Sequence, residues 1–140
     1  MDLQNEKCVM VIDESLPLGI IANTAAVMGI TLGRQMPEVV GVDVTDQSGN
    51  GHLGITALPV PILKGSTEMI KEIRQKLYQP DFEDVTVVDF SDLAQSCNDY
   101  EEFIKKMNHV PEDSLQYFGV GICGPKKKVN KLTGSMPLLR

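Results

Sequence analysis

Residues 116–134 read QYFGVGICGPKKKVNKLTG, and this stretch decides the fold. Its first part, 117–122, is an apolar run interrupted only by two glycines, which is typical of a buried strand that another backbone or a ligand approaches closely. The pair Gly124-Pro125 ends the run, and a helix can begin at a proline because the first helical residue needs no backbone N–H partner. The stretch therefore predicts a buried strand followed directly by a last helix that ends before Gly134.

Three lysines, Lys126, Lys127 and Lys128, occupy the first turn of this predicted helix. The helix dipole is positive there, so each lysine is unfavourable by about 0.3–1 kcal/mol when it is unscreened. All 19 acidic residues precede the strand, in a chain whose net charge is −6. Two interpretations stay open. The lysines can be a solvated basic tail, or they can form an anion site with Gly124 and free helix N–H groups that face a phosphate or carboxylate.

The glycines of this stretch also have the spacing of a dinucleotide-binding fingerprint, Gly119-x-Gly121-x-x-Gly124. That fingerprint requires a following βαβ unit and an acidic residue about 20 positions further on. Only 16 residues follow Gly124, and none of them is acidic. We therefore reject a dinucleotide site, and we predict no cofactor.

Length and composition predict one soluble domain over residues 1–140, with 42% hydrophobic and 23% charged residues. The cysteines, Cys8, Cys97 and Cys123, show no Cys-x-x-Cys spacing, and no signal peptide is visible. We therefore expect reduced thiols and a cytoplasmic location. Cys8 and Cys123 lie in apolar runs and are expected in the core. The uncharged segment 15–33 is short for a membrane span and holds a proline and three glycines, so no membrane association is predicted.

Hydrophobic patterning predicts alternating strands and helices. The predicted strands are 7–12, 53–63, 85–90 and 116–123. The predicted helices are 18–35, one capped by Ser66 with an apolar stripe up to Leu77, a shorter one with Tyr100, Phe103, Ile104 and Met107 on its apolar side that is ended by 109–111, and the last one after Gly124. The segments 36–52, 92–98 and 135–140 are predicted to be a long loop, a polar connection and a tail. The order β-α-β-α-β-α-β-α predicts a three-layer α/β/α sandwich.

The composition of the strands predicts their places in the sheet. Strands 7–12 and 116–123 are apolar throughout, so we expect them to be central neighbours. Pro59 and Pro61 are two residues apart and leave the same side of strand 53–63 without N–H donors, so that strand is expected at an edge.

The predicted first helix has an unusually small face. Ala22, Ala25, Ala26, Gly29 and Gly33 share one side of it at helical spacing. Other sides of this helix carry isoleucine and valine, so we expect more than one side of it to be buried against other parts of the protein or a partner. The small face either packs closely on the sheet of its own chain or forms a subunit interface.

The loop 36–52 contains residue types that bind metals, namely Asp43, Asp46, Asn50 and His52. Their order fits no calcium-binding loop, and no second histidine lies at ligand spacing. We therefore predict no metal site and assign these residues to turns.

Several segments resemble the type II (archaeal and eukaryotic) peptidyl-tRNA hydrolases. GVGICGPKKKVNKLTG is similar to their Gly-rich strand, Gly-Pro turn and last helix, and KCVMVIDESLPLGIIANTAA resembles their first strand, turn and Ala-rich helix. Leu63-Lys64 fits their second strand, and Asp92 with Ser96 matches their Asp-x-x-x-Thr motif, with serine in place of threonine. The resemblance covers most of the chain except roughly 34–54 and 98–112. In detail the chain is closer to an uncharacterised bacterial branch of that superfamily, the DUF2000-like proteins.

This resemblance implies a four-stranded mixed sheet with helices on both faces, a homodimer, and hydrolysis of the ester that joins a peptide to tRNA. It assigns candidate roles to three residues. Asp92 would orient a water or hydroxyl, Ser96 would supply a hydroxyl, and Lys64 would stabilise an oxyanion. The same residues can equally be a turn, a cap and a strand-end charge. The hydrolases also carry lysines just after the turn glycine, where this chain has the uncharged residues 20–22.

Two main functions are therefore compared. The favoured one is a divergent relative that binds a small anionic ligand, and the alternative is an ester hydrolase acting on peptidyl-tRNA or a related substrate. A structural homodimer without a ligand is a third option. The net negative charge of residues 1–115 disfavours a long contact with tRNA, so tRNA is not the favoured partner.

Overall fold

The computed structural model describes residues 3–140. The strands are β1 (Glu6–Asp13), β2 (Val44–Thr45), β3 (Gly51–His52), β4 (Ile62–Gly65), β5 (Thr86–Ser91) and β6 (Tyr117–Pro125). The helices are α1 (Leu18–Gln35), α2 (Thr67–Lys76), α3 (Asp92–Ser96), α4 (Tyr100–Met107) and α5 (Lys126–Thr133). In this part of the chain no helix is long and apolar enough to cross a membrane.

The main sheet has four strands in the order β4-β1-β6-β5. Strand β4 is parallel to β1, whereas β6 is antiparallel to both of its neighbours. The mixed four-stranded sheet is therefore confirmed. The two strands that are apolar throughout, β1 and β6, are the central pair, as predicted, because only central strands are covered on both faces.

Side chains alternate along β1 and fill two cores. Met10 and Ile12 pack with Met28 and Leu32 of α1 on one face of the sheet. Val9 and Val11 pack on the other face, against α2 and α5. Because helices cover both faces, the predicted three-layer α/β/α sandwich is confirmed. Burying each of these side chains contributes about 1.5–3 kcal/mol.

The glycines of β6 let α1 lie close to the sheet. A Cβ atom at Gly119 would lie 2.9 Å from Cγ2 of Thr24, and one at Gly121 would lie 3.2 Å from Cδ1 of Leu32. The buried residues of α1 are Thr24, Met28 and Leu32. Of the small face, for which packing on the sheet and a subunit interface were both open, Ala22 and Ala26 are exposed and point away from the sheet.

The strand predicted over 53–63 is wrong in its bounds. The observed strand, β4, begins only after Pro59 and Pro61, and it lies at an edge of the sheet as expected. The predicted tail is also not free. Leu138 forms a β-bridge with Leu63, and the N–H of Lys64 donates to the carbonyl of Pro137 at 3.0 Å. The chain end therefore covers the outer edge of β4.

Other local predictions need small changes. Ser66 caps α2 as predicted, with its hydroxyl accepting from the N–H of Met69. The polar connection 92–98 contains a short helix, α3, because Ser91 caps it in the same way. The long loop 36–52 contains both β2 and β3, which pair as a hairpin.

The expectation of reduced thiols is corrected for two cysteines. Cys8 and Cys123 face each other across β1 and β6, with Cα atoms 4.1 Å apart, and are joined by a disulfide. Both are buried, as predicted. They are 115 positions apart, so only the strand register brings them together. Cys97 is a free thiol.

Candidate functional site

Strand direction separates the sequence-predicted site residues into two groups. The ends of β1, β4 and β5 meet at one edge of the sheet, the carboxyl edge, which holds Lys64 and the Asp92–Ser96 helix. Gly124 lies at the opposite edge, the basic edge, where the register pairs it with Lys7 at the start of β1. Eight residues of β1 span roughly 25 Å. The three first-turn lysines of α5 and the candidate catalytic residues therefore do not share one cleft.

Lys64 and Asp92 are also apart along the carboxyl edge. Lys64 lies on β4 and Asp92 directly follows β5, and these two outer strands are three strand spacings, or about 14 Å, apart. Nζ of Lys64 lies 3.8 Å from Oε2 of Glu14. Lys64 is therefore not in reach of a group held by Asp92.

Asp92 and Ser96 lie on the same short helix and bond to the backbone. Oδ1 of Asp92 accepts from the N–H of Leu93 at 2.8 Å and from the N–H of Gln116 at 3.1 Å. The hydroxyl of Ser96 donates to the carbonyl of Leu93 at 2.7 Å. The bond to Gln116 attaches α3 to the residue before β6, whereas the bonds to Leu93 lie within α3. A catalytic role for either residue stays a prediction.

The carboxyl edge contains a buried carboxylate that the sequence analysis did not single out. Oδ1 of Asp13 accepts from both the N–H and the hydroxyl of Ser15, at 2.9 and 2.7 Å. Its Oδ2 accepts from the hydroxyl of Thr67 at 3.1 Å. Asp13 therefore connects the end of β1 to the start of α2. The sequence feature that could have identified Asp13 is its position directly after the apolar run of β1.

Helix α1 contributes an amide rather than a cation at this edge. Nδ2 of Asn23 donates to Oε1 of Gln95 at 3.3 Å, which links α1 to α3. Residues 20–22 after the turn glycine carry no charge. No sequence signal predicted this pair, because its members are 72 positions apart.

A cavity of about 330 Å³ lies at the basic edge. Leu58, Pro59 and Pro61 give it apolar walls, and Lys7 and Lys126 line it as well. Its remaining lining residues are Leu3, Gln4, Glu6, Cys8 and Asn130. The cavity was not predicted, since it depends on how the segment before β4 passes the end of the sheet.

The lysines of the basic edge have different partners. Nζ of Lys128 donates to Oδ1 of Asp84 at 2.7 Å, and this hydrogen bond lowers the pKa of Asp84. Nζ of Lys7 donates to Oδ1 of Asn130 at 2.6 Å. Within residues 3–140, neither Lys126 nor Lys127 forms an ion pair, and only Lys126 lines the cavity.

The first turn of α5 has N–H groups without a side-chain cap. Its N-cap residue is Pro125, which makes no side-chain hydrogen bond. The first N–H groups of a helix have no partner inside the helix. Gly124 is buried beside Val85, where an added Cβ atom would lie 3.1 Å from Cα of Val85. Gly124 therefore shapes the entry to the helix, while the lysine side chains project from it.

A larger cavity of about 420 Å³ lies between α1, β5 and α4. Its aromatic walls include Phe90, Tyr100 and Phe103, and the charged residues that line it are Asp89 and Asp99. Asp89 accepts from Nε of Arg74 at 2.7 Å. Since the two charged lining residues are both acidic, this cavity is a poor match for an anion.

The candidate metal residues of the hairpin bond to one another and to its backbone. Oδ1 of Asp46 accepts from the N–H groups of Ser48 and Asn50, and its Oδ2 lies 2.8 Å from Nε2 of His52. The hydrogen bond with His52 lowers the pKa of Asp46. Among the described residues, no group of three or more histidine, cysteine or acidic side chains is arranged to hold a metal ion.

Comparison with known proteins gives a family and a fold. The sequence profile of DUF2000, a protein family of unknown function, matches residues 6–140. A solved structure of a protein of unknown function from Agrobacterium tumefaciens strain C58 has a TM-score of 0.86 and 18% identity, over 96% of this chain and 97% of that chain. No curated protein matches the chain. The predicted DUF2000 likeness is confirmed, whereas the wider relation to type II peptidyl-tRNA hydrolases stays a prediction.

Proposed function

We propose, for this chain, which belongs to the DUF2000 family, that it binds a small anionic molecule in the cavity at the basic edge. One observation carries the proposal: Lys7 and Lys126 both line a cavity of about 330 Å³ whose other walls are largely apolar. Small-molecule sites have this character, with apolar walls and a few polar groups that orient the ligand. The cavity suits a carboxylate or phosphate monoester with a short apolar body.

The charges of α5 support an anion in this place. Its first-turn lysines lie where the helix dipole is positive. An anion beside Lys126 would interact favourably with the lysine charge and with the dipole. Glu6 also lines the cavity. Its carboxylate would repel any anion, so the anionic group of the ligand would lie towards Lys126 and away from Glu6.

Hydrolysis has less support from the geometry. An oxyanion donor must lie within about 3 Å of the developing charge. Lys64 lies on the opposite outer strand from Asp92, and Oδ1 of Asp92 already accepts from two backbone N–H groups. We therefore favour ligand binding over hydrolysis as the function, and a small anion over tRNA as the ligand.

Calorimetric titration with phenyl phosphate tests the proposal, with phenol as the uncharged control. We expect phenyl phosphate to bind in the millimolar range or more tightly, and phenol to bind at least about tenfold more weakly because it lacks the charge-assisted hydrogen bonds. Affinity should fall as salt is raised. Equal binding of the two compounds, or no binding of phenyl phosphate, would contradict the proposal.

A further inference from the structure

Residues 40–57 form a hairpin, here named the arm, that projects from the body of the protein. The N–H of Gly41 donates to the carbonyl of Ile55 at 2.8 Å, and that of Asp46 donates to the carbonyl of Asn50 at 3.0 Å. The strands β2 and β3 lie between these bonds in the same register. Every residue of the arm except Gly54 is exposed. A two-stranded hairpin without further cover is marginally stable in water.

The arm carries apolar side chains on both of its faces. Val42, Leu53 and Ile55 are 84%, 83% and 80% exposed. Because side chains alternate along a strand and Val44 pairs with His52, Val42 lies on one face while Leu53 and Ile55 lie on the other. Either face of the arm can therefore bring apolar side chains to a contact with another surface.

The outer face of α1 is the second uncovered apolar surface. Leu18 and Ile30 are 81% and 75% exposed, and Ala22 and Ala26 are exposed beside them. No charged residue occurs in this helix before Arg34. Thr24, Met28 and Leu32 form the inward face of the helix, so the core of this chain leaves the outer face uncovered.

The arm and α1 border one groove. A cavity of about 260 Å³ is lined by Gly29 and Gly33 of α1 and by Val40 and Ile55 of the arm. Gly33 leaves open space beside the helix, since an added Cβ atom there would meet nothing within 4 Å, and one at Gly29 would only touch Cε of Met10 at 3.8 Å. The groove can therefore receive an apolar segment between the arm and the helix.

We propose that two copies of this chain pair by reciprocal exchange, with the arm of each copy lying on the outer face of α1 of the other. A large aliphatic side chain buries about 60–120 Å² of apolar area. The exposed valine, leucine and isoleucine side chains of the arm and α1 thus offer on the order of 500 Å² per copy, against about 800 Å² per partner in a stable interface. The largest apolar patch on a typical monomer is about 300–600 Å² and often functional, so this surface is of a size that commonly marks a contact site.

A second copy fits this surface better than a charged partner does. Each copy carries a net charge of −6, so close approach requires a contact surface with few charges. The outer face of α1 has none before Arg34, and the carboxylates of the arm are bonded within it, Asp43 to the N–H of Gly54 and Asp46 to His52. Two copies that exchange the same contacts form a closed dimer with two-fold symmetry. This interface does not depend on the proposed anion site.

Analytical ultracentrifugation over a concentration series tests the exchange with two variants. The arm variant is Leu53→Asp with Ile55→Asp, and the helix variant is Ile30→Glu. These positions are at least 75% exposed, so the monomer fold is retained, which circular dichroism checks. We expect a wild-type dimer at micromolar concentration and a dissociation constant at least a hundredfold higher in each variant. Met69→Asp, on α2 in the opposite layer, is the control and should leave the dimer unchanged.

Mixing the two variants tests which surfaces meet. A mixed dimer has one intact contact, from the arm of the helix variant to α1 of the arm variant, whereas each variant alone has none. The equimolar mixture should therefore form more dimer than either variant by itself. A monomeric wild-type protein would overturn the proposal. So would a helix variant that dimerises normally, or a mixture that gains nothing.

Discussion

Cys8 and Cys123 lie directly opposite each other on the two central strands, with Cα atoms 4.1 Å apart. Their disulfide joins β1 to β6 near the basic edge, and Cys8 also lines the cavity there. The bond therefore holds together the end of the sheet on which the proposed anion site is built.

Reduction of this disulfide should destabilise the protein. The bond links residues 115 positions apart, and removing a native disulfide that closes a long loop typically costs about 2–5 kcal/mol. Urea unfolding with and without dithiothreitol measures the loss. Cys97→Ser is the control and should unfold like the wild type, since Cys97 is outside the pair. Equal stability with and without reductant would mean that the bond contributes nothing.

Gly119→Ala should lower the free energy of unfolding by about 1–3 kcal/mol, because an added methyl group overpacks the contact with α1. Its Cβ atom would lie 2.9 Å from Cγ2 of Thr24 and 3.1 Å from the carbonyl oxygen of Val11. Gly19→Ala is the matched control, because a Cβ atom there would meet nothing within 4 Å. Denaturant unfolding of both variants should show a loss only at Gly119. Equal effects at the two positions would contradict the close packing of α1 on β6.

The pair of Glu112 and Tyr117 predicts an acid-dependent loss of stability. The hydroxyl of Tyr117 donates to Oε2 of Glu112 at 2.7 Å, which holds the pKa of Glu112 below its ordinary value of 4.5. Burial raises the pKa of Tyr117 far above its ordinary value, so it remains the donor. A carboxylate with a lowered pKa stabilises the fold above its unfolded pKa, and this contribution is lost as pH falls through the folded pKa.

Comparing wild type with Glu112→Gln tests this linkage. The wild-type advantage in free energy of unfolding should be fully present at pH 7 and should shrink below about pH 4.5, as the carboxylate is protonated. Urea unfolding at several pH values measures the difference. A difference that stays constant down to pH 3 would show that the charge of Glu112 is not involved.

Peptidyl-tRNA hydrolysis should be weak or absent. Loss of one oxyanion-stabilising group typically costs about a hundredfold to a thousandfold in rate, and no lysine follows the turn glycine of α1. Incubation with peptidyl-tRNA beside a type II hydrolase measures the activity. Turnover within about tenfold of that enzyme, abolished by Asp92→Ala, would contradict this expectation and give Asp92 a catalytic role.

The sequence predicted the layers and the central strands because these follow from apolar runs alone. It did not predict the Cys8–Cys123 pair or the separation of Lys64 from Asp92. Register and strand order are set by contacts between distant segments. A spacing pattern within one segment contains no information about them.

The direction of the small face of α1 could not be read from the helix itself. Ala22 and Ala26 have a spacing that fits a helix–sheet contact or an outer surface equally well. The face of α1 that points to the sheet is determined by glycines on β6. Gly119 and Gly121 leave room there for the larger side chains Thr24 and Leu32. Residues 53–57 were assigned to the strand 53–63 for a related reason, since apolar residues indicate a strand whether or not anything covers it, whereas these residues belong to the arm.

The binding of phenyl phosphate to Lys126→Glu and Lys127→Glu tests the central claim most directly. The two substitutions change the same charge in the same turn of α5, but only Lys126 lines the cavity. We predict at least about tenfold weaker binding for Lys126→Glu, because a charge-assisted hydrogen bond is lost, and a change within about threefold for Lys127→Glu. Equal losses in both variants, or none in either, would contradict a site in this cavity.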